Sequence, residues 1–489
     1  MRHVGIYAGP FPCHGSLMFG TVEISVWLLV LIVLFAAVTF ASHFLFPSVR
    51  WFLRRRAEKL VAKLNERLER PIQPFKLARR TDMIQRLIYD PLVVEAVAQH
   101  ARDTGVREDV AFEQARRYAR EIVPAFSASA YFGIATRLAK WLSTRLFRVR
   151  LGHYDEAQLR AIDGDATIVF VMNHRSNMDY VLVTYLVAEQ SALSYAVGEW
   201  ARVWPLQQLI RAMGAYFIRR KSRNALYRRV LARYVQLATE AGVMQAVFPE
   251  GGLSLDGRVG TPRLGILSYI MTDRSPDARD VVFVPVALNY DRVIEDRILI
   301  EAGQKGERRF RGTIPSAIAF TARYIWRRIT GKAHRFGYAA VSFGQPLSLT
   351  EFAAGRTDDP TADVGAELVR RIRKVMPVLP VPLVSTVLLD TEGPQTREAL
   401  EAAVAERVTL LTERGAALHI ARDDPGYTVE FALKHLLIRR LITEVDGMIE
   451  VAEGQAHLLG FYAASIETLF DAGAAETARE TKAKPAPAT

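Results

Sequence analysis

The chain has 489 residues, half of them hydrophobic and 24% charged, which excludes a disordered polypeptide and leaves room for two or three cores. Its formal net charge of +12 favours acidic partners: phospholipid headgroups, nucleic acid or phosphorylated small molecules. A single cysteine, Cys13, excludes an internal disulfide, no Cys/His cluster has metal-ligand spacing, and both facts fit a reducing, cytoplasmic compartment for the working part.

Residues 1–23 show no structural pattern and read as a flexible N-terminus; Met18 is a candidate start, which the intact mass of the mature protein checks. Over residues 24–49, "ISVWLLVLIVLFAAVTFASHFLFPSV", roughly 25 residues pass without a formal charge, enough for one helical span of a bilayer. No A-x-A-like cleavage site closes the run, so a transmembrane anchor is expected rather than a signal peptide, with a buried core helix as the alternative. Arg50, Arg54, Arg55 and Arg56 follow it, whereas only Arg2 and Glu23 flank its other side. The positive-inside rule then gives a single-pass protein of the cell (inner) membrane with its body in the cytoplasm.

Residues 50–150 read as a basic helical region. A helix over 54–70, with Leu60, Leu64 and Leu68 on one face, is broken by Pro71 and Pro74. In "DPLVVEAVAQHARDTG" Asp90 is the N-cap, Pro91 the first helical residue and Gly105 the terminator. The basic faces suit solvent or lipid headgroups.

From residue 166 the texture changes to short β-rich runs: "ATIVFVM" (166–172), "GAYFI" (214–218), "VMQAVF" (243–248), "VVFVPVAL" (281–288) and "GYAAVSFG" (337–344). Helical stretches such as 222–241 and 262–272 separate them. The alternation predicts an α/β domain over 151–350, its central sheet mostly parallel and flanked by helices. Residues 351–478 read as a mainly helical C-terminal region, and 479–489 as a disordered tail.

The chemically suggestive segments lie at strand ends, where open α/β sheets place ligands. In "VFVMNHRSNMDYVLV" His174 and Asp179 stand five positions apart. In a continuous helix they would diverge, so they meet only if the chain turns near Ser176 or Asn177. Asp179 then accepts Nδ1–H of His174 and leaves Nε2 as a general base, with no nucleophile of its own. Spacing alone leaves open a histidine that merely satisfies a capping carboxylate. The same spacing recurs as His419…Asp424, in a charged stretch with no strand before it, and that pair reads as a surface loop.

"GAYFIRRKSRNALYRR" brings Arg219 and Arg220 off a strand, a fork suited to phosphate or to a solvated helix start. "VFPEGGLSLDGR" offers Glu250, Gly251, Gly252, Ser254 and Arg258 in a loop, with Pro262 expected at the first position of the next helix. Ser254 lacks the glycine pattern of a hydrolase elbow, and no Walker-type phosphate loop occurs. In "VFVPVALNYDRV" Pro285 inside a strand suggests an edge, a bulge or a pocket wall.

"NHRSNMD", "GAYFIRR", "FPEGGLS" and "VFVPVAL", in this order, resemble the four motif blocks of the glycerolipid acyltransferases, most nearly the bacterial membrane-bound glycerol-3-phosphate acyltransferases. The likeness spans residues 166–288 and extends more weakly to "PVPLVSTVLL" (380–389). It implies His174 and Asp179 as catalytic dyad, Arg219 and Arg220 on the acceptor phosphate, and Glu250, Gly251, Gly252 and Ser254 around the acceptor. It implies Pro285 on the acyl side, and Arg175, Ser176 and Arg258 join the pocket. The implied reaction is direct acyl transfer to the sn-1 hydroxyl of glycerol 3-phosphate, giving lysophosphatidate. The donor is acyl-CoA or acyl-carrier protein as co-substrate, and no cofactor or metal is expected. Loop amides near Gly251 are candidate oxyanion donors.

The third block departs from that family: Leu253 and Leu255 stand where its members usually carry arginines, and "FPEG" is similar to lysophosphatidate acyltransferases. Acylation of lysophosphatidate or dihydroxyacetone phosphate is therefore the alternative. A non-catalytic membrane lipid-binding protein is the alternative of another class. Nucleic acid is not an expected partner, because no binding motif accompanies the charge.

Overall fold

The computed structural model describes residues 25–152, 155–188, 191–198, 206–219, 222, 224–275, 277–306, 326, 335–420 and 424–471, and for 37–54, 57 and 206 the backbone alone. The readings placed on residues 1–23, Arg220 and the 479–489 tail fall outside the described residues.

The chain divides into two units, Met1–Leu68 and Glu69–Thr489. In the first, α1 (Val26–Asn65) is one helix, so the apolar run and the basic stretch after it are continuous rather than separate elements. Residues 26–35, apolar throughout, are exposed. Among the described residues no helix is long and apolar enough to cross a membrane. Half of the run expected as an anchor, from residue 37 on, has its side chains outside the described residues.

The second unit opens with α2 (Pro74–Leu77), α3 (Arg80–Ile88), α4 (Pro91–Thr104) and α5 (Glu108–Ile122), then a π-helical turn (Ser129–Ala135) that runs into α6 (Thr136–Leu146). As expected, Asp90 caps α4 by accepting from Leu92 N, Pro91 opens it, and Gly105 ends it at φ +67°. The α/β part follows as β1 (Arg148–Leu151), α7 (Glu156–Arg160), β2 (Thr167–Met172), α8 (Met178–Leu186), β3 (Ser194–Gly198), α9 (Leu206–Ala212), β4 (Tyr216–Ile218), α10 (Ala225–Glu240), β5 (Gln245–Val247), α11 (Gly265–Met271), β6 (Val281–Tyr290), α12 (Asp296–Gln304), β7 (Tyr338–Phe343) and β8 (Leu347–Ser348). The C-terminal region holds α13 (Leu349–Ala353), α14 (Thr361–Lys374), α15 (Pro380–Asp390), β9 (Gln395–Thr396), α16 (Arg397–Glu413), α17 (Pro425–Ile438), β10 (Ile442–Val445), β11 (Met448–Val451) and α18 (Ala456–Ala463).

Eight strands form one sheet, ordered β1-β7-β6-β2-β5-β3-β4, with β8 beside β6. Its pairs are parallel except β6–β7 and β6–β8. Every residue of β2 and β6 is buried, the mark of strands covered on both faces, and their apolar runs reflect that. The chain leaves β2 first toward β5, β3 and β4, and later returns to its other side as β6. That reversal makes the carboxyl end of β2 the switch point, where a crevice forms.

Pro285 sits in a central strand, not at an edge. It pairs with Val171 on the β2 side. On the other side the ladder is interrupted between β7 and β8, and the Pro285 carbonyl accepts from Gly344 N at 2.8 Å. A residue without an N–H is tolerated at that gap. Pro262 precedes α11 by a short loop instead of opening it. The expected helical C-terminal region also carries a small sheet, β10-β11-β9, whose hairpin turns on Asp446 (φ 52°) and Gly447 (φ 74°).

Candidate active site

The site is built where β2 ends. Asn173 extends the ladder with its side chain: its Nδ2 donates to Leu288 O at 2.9 Å, and Leu288 N donates to its Oδ1 at 2.7 Å. His174 comes next and is 2% exposed. The turn required by the five-residue spacing then winds around the carboxylate of Asp179, in the first turn of α8. Asp179 Oδ2 accepts from His174 Nδ1 (2.9 Å), Arg175 N (2.8 Å) and Ser176 N (3.0 Å). Its Oδ1 accepts from the Tyr290 hydroxyl at 2.6 Å. One fully buried carboxylate thus fixes the imidazole and the backbone that presents it.

With the proton on Nδ1 toward Asp179, Nε2 is the basic atom, and it has no hydrogen-bond partner among the described residues. Phe248 stacks on the ring at 4.1 Å and 28°, and Tyr180 meets it edge-on at 5.4 Å. These walls hold the imidazole in one plane and keep water from most of it.

The loop after β5 clamps the His174 peptide from both sides. Glu250 Oε1 accepts from His174 N at 2.9 Å, and Ser254 N donates to His174 O at 2.8 Å. Glu250 Oε2 accepts from Gly260 N at 3.0 Å. Burial pushes the Glu250 carboxyl up to about 7, against the pull of those two N–H donors and of Arg175. Gly251 adopts φ +66°, and a Cβ there would lie 2.8 Å from Arg263 Cδ. Its amide donates to Phe248 O, so it is turned into the loop rather than toward an oxyanion. Gly252 is half-buried beside it.

Other expected pocket residues serve as ties. Arg175 is 1% exposed; its guanidinium donates to Gly257 O and sits 5.0 Å from the Phe461 ring on α18. Ser176 Oγ donates to Glu295 Oε2 at 2.8 Å, and Asn177 donates to the same carboxylate through N and Nδ2. Burial raises the Glu295 carboxyl as well. Ser254 Oγ is spent within its own loop, on Arg258 O, Asp256 Oδ1 and Gly257 N. Arg258, at the surface, pairs with Glu467 at 2.7 Å.

Arg219, expected on a phosphate, makes a two-point pair with Glu121 of α5 (2.8 and 2.7 Å) between the Tyr118 and Tyr227 rings. Of the pair set aside in the sequence, Asp424 caps α17 by accepting from Tyr427 N, and His419 N donates to Val378 O at 2.9 Å. The structure therefore gathers His174, Arg175, Ser176, Asp179, Glu250 and Ser254, and leaves Arg219 on another element. Sequence reasoning missed Asn173, Tyr290 and Glu295. Tyr290 and Glu295 stand just beyond the fourth block, in "NYDRVIED", and only the parallel pairing of β6 with β2 brings them to Asp179 and Ser176.

With both nearby serine hydroxyls engaged elsewhere, the dyad is a base lacking a protein nucleophile among the described residues. Such an arrangement suits proton removal from a hydroxyl that arrives with the substrate.

Comparison with known proteins agrees with this chemistry. Residues 153–289 match the family model described as acyltransferase, and residues 327–474 match that of the glycerol-3-phosphate acyltransferase C-terminal region. The glycerol-3-phosphate acyltransferase of Pseudomonas fluorescens (strain SBW25) is 29% identical over 366 residues, 68% of this chain and 41% of that protein. Its namesake from Pseudomonas putida (strain W619) is 26% identical over 449 residues, 85% of this chain and 52% of that protein. The chain thus spans about half the length, or less, of these curated relatives. A solved 1-acyl-sn-glycerophosphate (LPA) acyltransferase, PlsC from Thermotoga maritima, matches 49% of this chain and 76% of its own at 16% identity, with a TM-score of 0.30. The chain thus carries an acyltransferase domain followed by a region that matches the glycerol-3-phosphate acyltransferase C-terminal region, in the same order as the sequence blocks and the helical segment after them.

Proposed function

We propose that the protein transfers a long-chain acyl group from acyl-CoA or acyl-carrier protein to the sn-1 hydroxyl of glycerol 3-phosphate, giving lysophosphatidate. The observation that carries this reading is the buried His174 Nδ1···Asp179 Oδ2 contact of 2.9 Å, a general base with its orienter and no nucleophile beside it. His174 Nε2 takes the proton of the sn-1 hydroxyl as that oxygen attacks the thioester carbonyl, and the thiol leaves, with no acyl-enzyme between. Holding acceptor and donor together at the crevice supplies much of the rate. The names of the relatives support the acceptor.

A second reading, acylation of lysophosphatidate or dihydroxyacetone phosphate, is favoured by one observation: the Arg219 fork is already occupied by Glu121. Membrane preparations given each labelled acceptor and a long-chain acyl thioester distinguish the two, and no turnover of glycerol 3-phosphate would refute the first. We also propose a cell-membrane location with the catalytic unit facing the cytoplasm. The uncharged run at 24–49, the exposed apolar residues 26–35 of α1 and the arginines after them support it.

A further inference from the structure

A cavity of about 1050 Å³ opens where the edge of the main sheet meets the C-terminal region, away from His174 and lined by none of the residues around it. The last turns of α14 supply one wall with Arg370, Arg371 and Lys374, and the loop after α16 supplies another with His419. Both guanidiniums share a single carboxylate, Glu367, at 2.7 Å each. The exposed Lys374 ammonium has no ion-pair partner among the described residues. Three cations therefore face the cavity against one anion.

Basic residues in a last helical turn also answer the helix's own carbonyls. That role explains neither the concavity nor the histidine set into its opposite wall. Gly152 beside it has no room for a side chain, since a Cβ would lie 2.6 Å from His419 Nε2 and 2.2 Å from Ser342 Oγ. The volume is that of a ligand pocket and exceeds what glycerol 3-phosphate fills.

The same turn of α14 also reaches the active site. Arg373 Nη2 donates to Val259 O at 2.7 Å, on the loop whose Glu250 and Ser254 clamp the His174 peptide. A ligand that draws in Arg370 and Lys374 loads the helix that holds that loop.

We propose that this cavity is a second ligand site, for a phosphate-bearing polyanion other than the acceptor, and that its occupancy reaches His174 through α14 and the loop after β5. The turnover part of this proposal rests on the acyltransferase reading above; the binding part does not.

The test uses the full chain in detergent micelles with glycerol 3-phosphate in excess. Pyrophosphate is titrated by calorimetry, and nanodiscs containing phosphatidate form a second arm. Binding of pyrophosphate points to a soluble phosphate compound, and binding confined to phosphatidate discs points to a lipid headgroup; either supports the site. The double variant Arg370→Gln/Lys374→Gln should weaken that binding at least about tenfold while acyl transfer without the probe stays within about twofold. Arg373→Lys should keep the binding but lose the probe's effect on turnover. The proposal is overturned if neither probe binds, if the double variant binds as well as the parent, or if added glycerol 3-phosphate displaces the probe one for one. Absence of acyl transfer with any acceptor would refute the functional reading while the binding arm still decides the site.

Discussion

At the scale of single residues, Asp179 does more than orient an imidazole. Four donors converge on its two oxygens, so its charge organises the turn as well as the base. Asp179→Asn keeps the volume but aims an amide at those donors. We expect urea denaturation to show a loss of about 1–3 kcal/mol, and turnover to fall by about 10²–10⁴. Tyr290→Phe removes one of the four bonds, so its loss in both measurements should be the smaller, with the KM for acceptor unchanged.

Glu250 gives a pH signature. Its carboxyl is near 4.5 unfolded and about 7 folded, so the native state holds that proton more tightly. Its contribution to stability is full below about 4.5 and is lost as pH rises through about 7. The stability difference between parent and Glu250→Gln, measured by urea denaturation, should therefore fall as pH rises across that window; a difference that is flat or rises would contradict the assignment. The sequence made His174 and Asp179 legible because they are neighbours in the chain. Tyr290, 111 positions from Asp179, was invisible until strand pairing was known.

At the scale of elements, the strands of the α/β part were legible wherever their apolar runs were continuous. β2, β4, β5 and β7 fall inside four of the five runs read from composition, and β6 starts with the fifth and continues two residues beyond it, to Tyr290. β3, "SYAVG", and β1, "RVRL", were missed because a serine, a glycine and two arginines dilute the apolar signal. The Glu-Gly-Gly loop was recognised as a loop, but its partners were not. Arg175 and Arg258 read as pocket charges, yet they tie that segment to Phe461 and Glu467, some 200 or more positions away.

Gly257 marks how close that tie is. It adopts φ +90°, and a Cβ would lie 1.9 Å from the Phe461 carbonyl oxygen, a backbone atom that cannot swing aside. Gly257→Ala should therefore cost at least about 1–3 kcal/mol from the backbone conformation alone. It should also reduce turnover by loosening the clamp on His174. Thermal melting and acyl-transfer rates check both, and an unchanged melting point would show that α18 does not pack on this loop.

For the whole molecule, the alternation of strands and helices announced a mostly parallel sheet, but not its order. That order depends on which strands neighbour one another across long connections, and the antiparallel β6–β7 pair carries no local mark. The excess of 64 basic over 52 acidic side chains was legible from the start and suits the anionic acceptor and membrane surface proposed above. If α1 anchors the protein as proposed, cell membranes should retain it through carbonate extraction; release into the supernatant would contradict an anchor.

Direct acyl transfer through His174 is tested most directly by an acceptor assay. Membranes bearing the parent protein or His174→Ala receive labelled glycerol 3-phosphate and a long-chain acyl thioester, and labelled lysophosphatidate is measured. Product is expected from the parent and a rate lower by about 10²–10⁴ from the variant, with both proteins present in equal, folded amounts. Equal product from a folded His174→Ala protein would contradict direct transfer through His174.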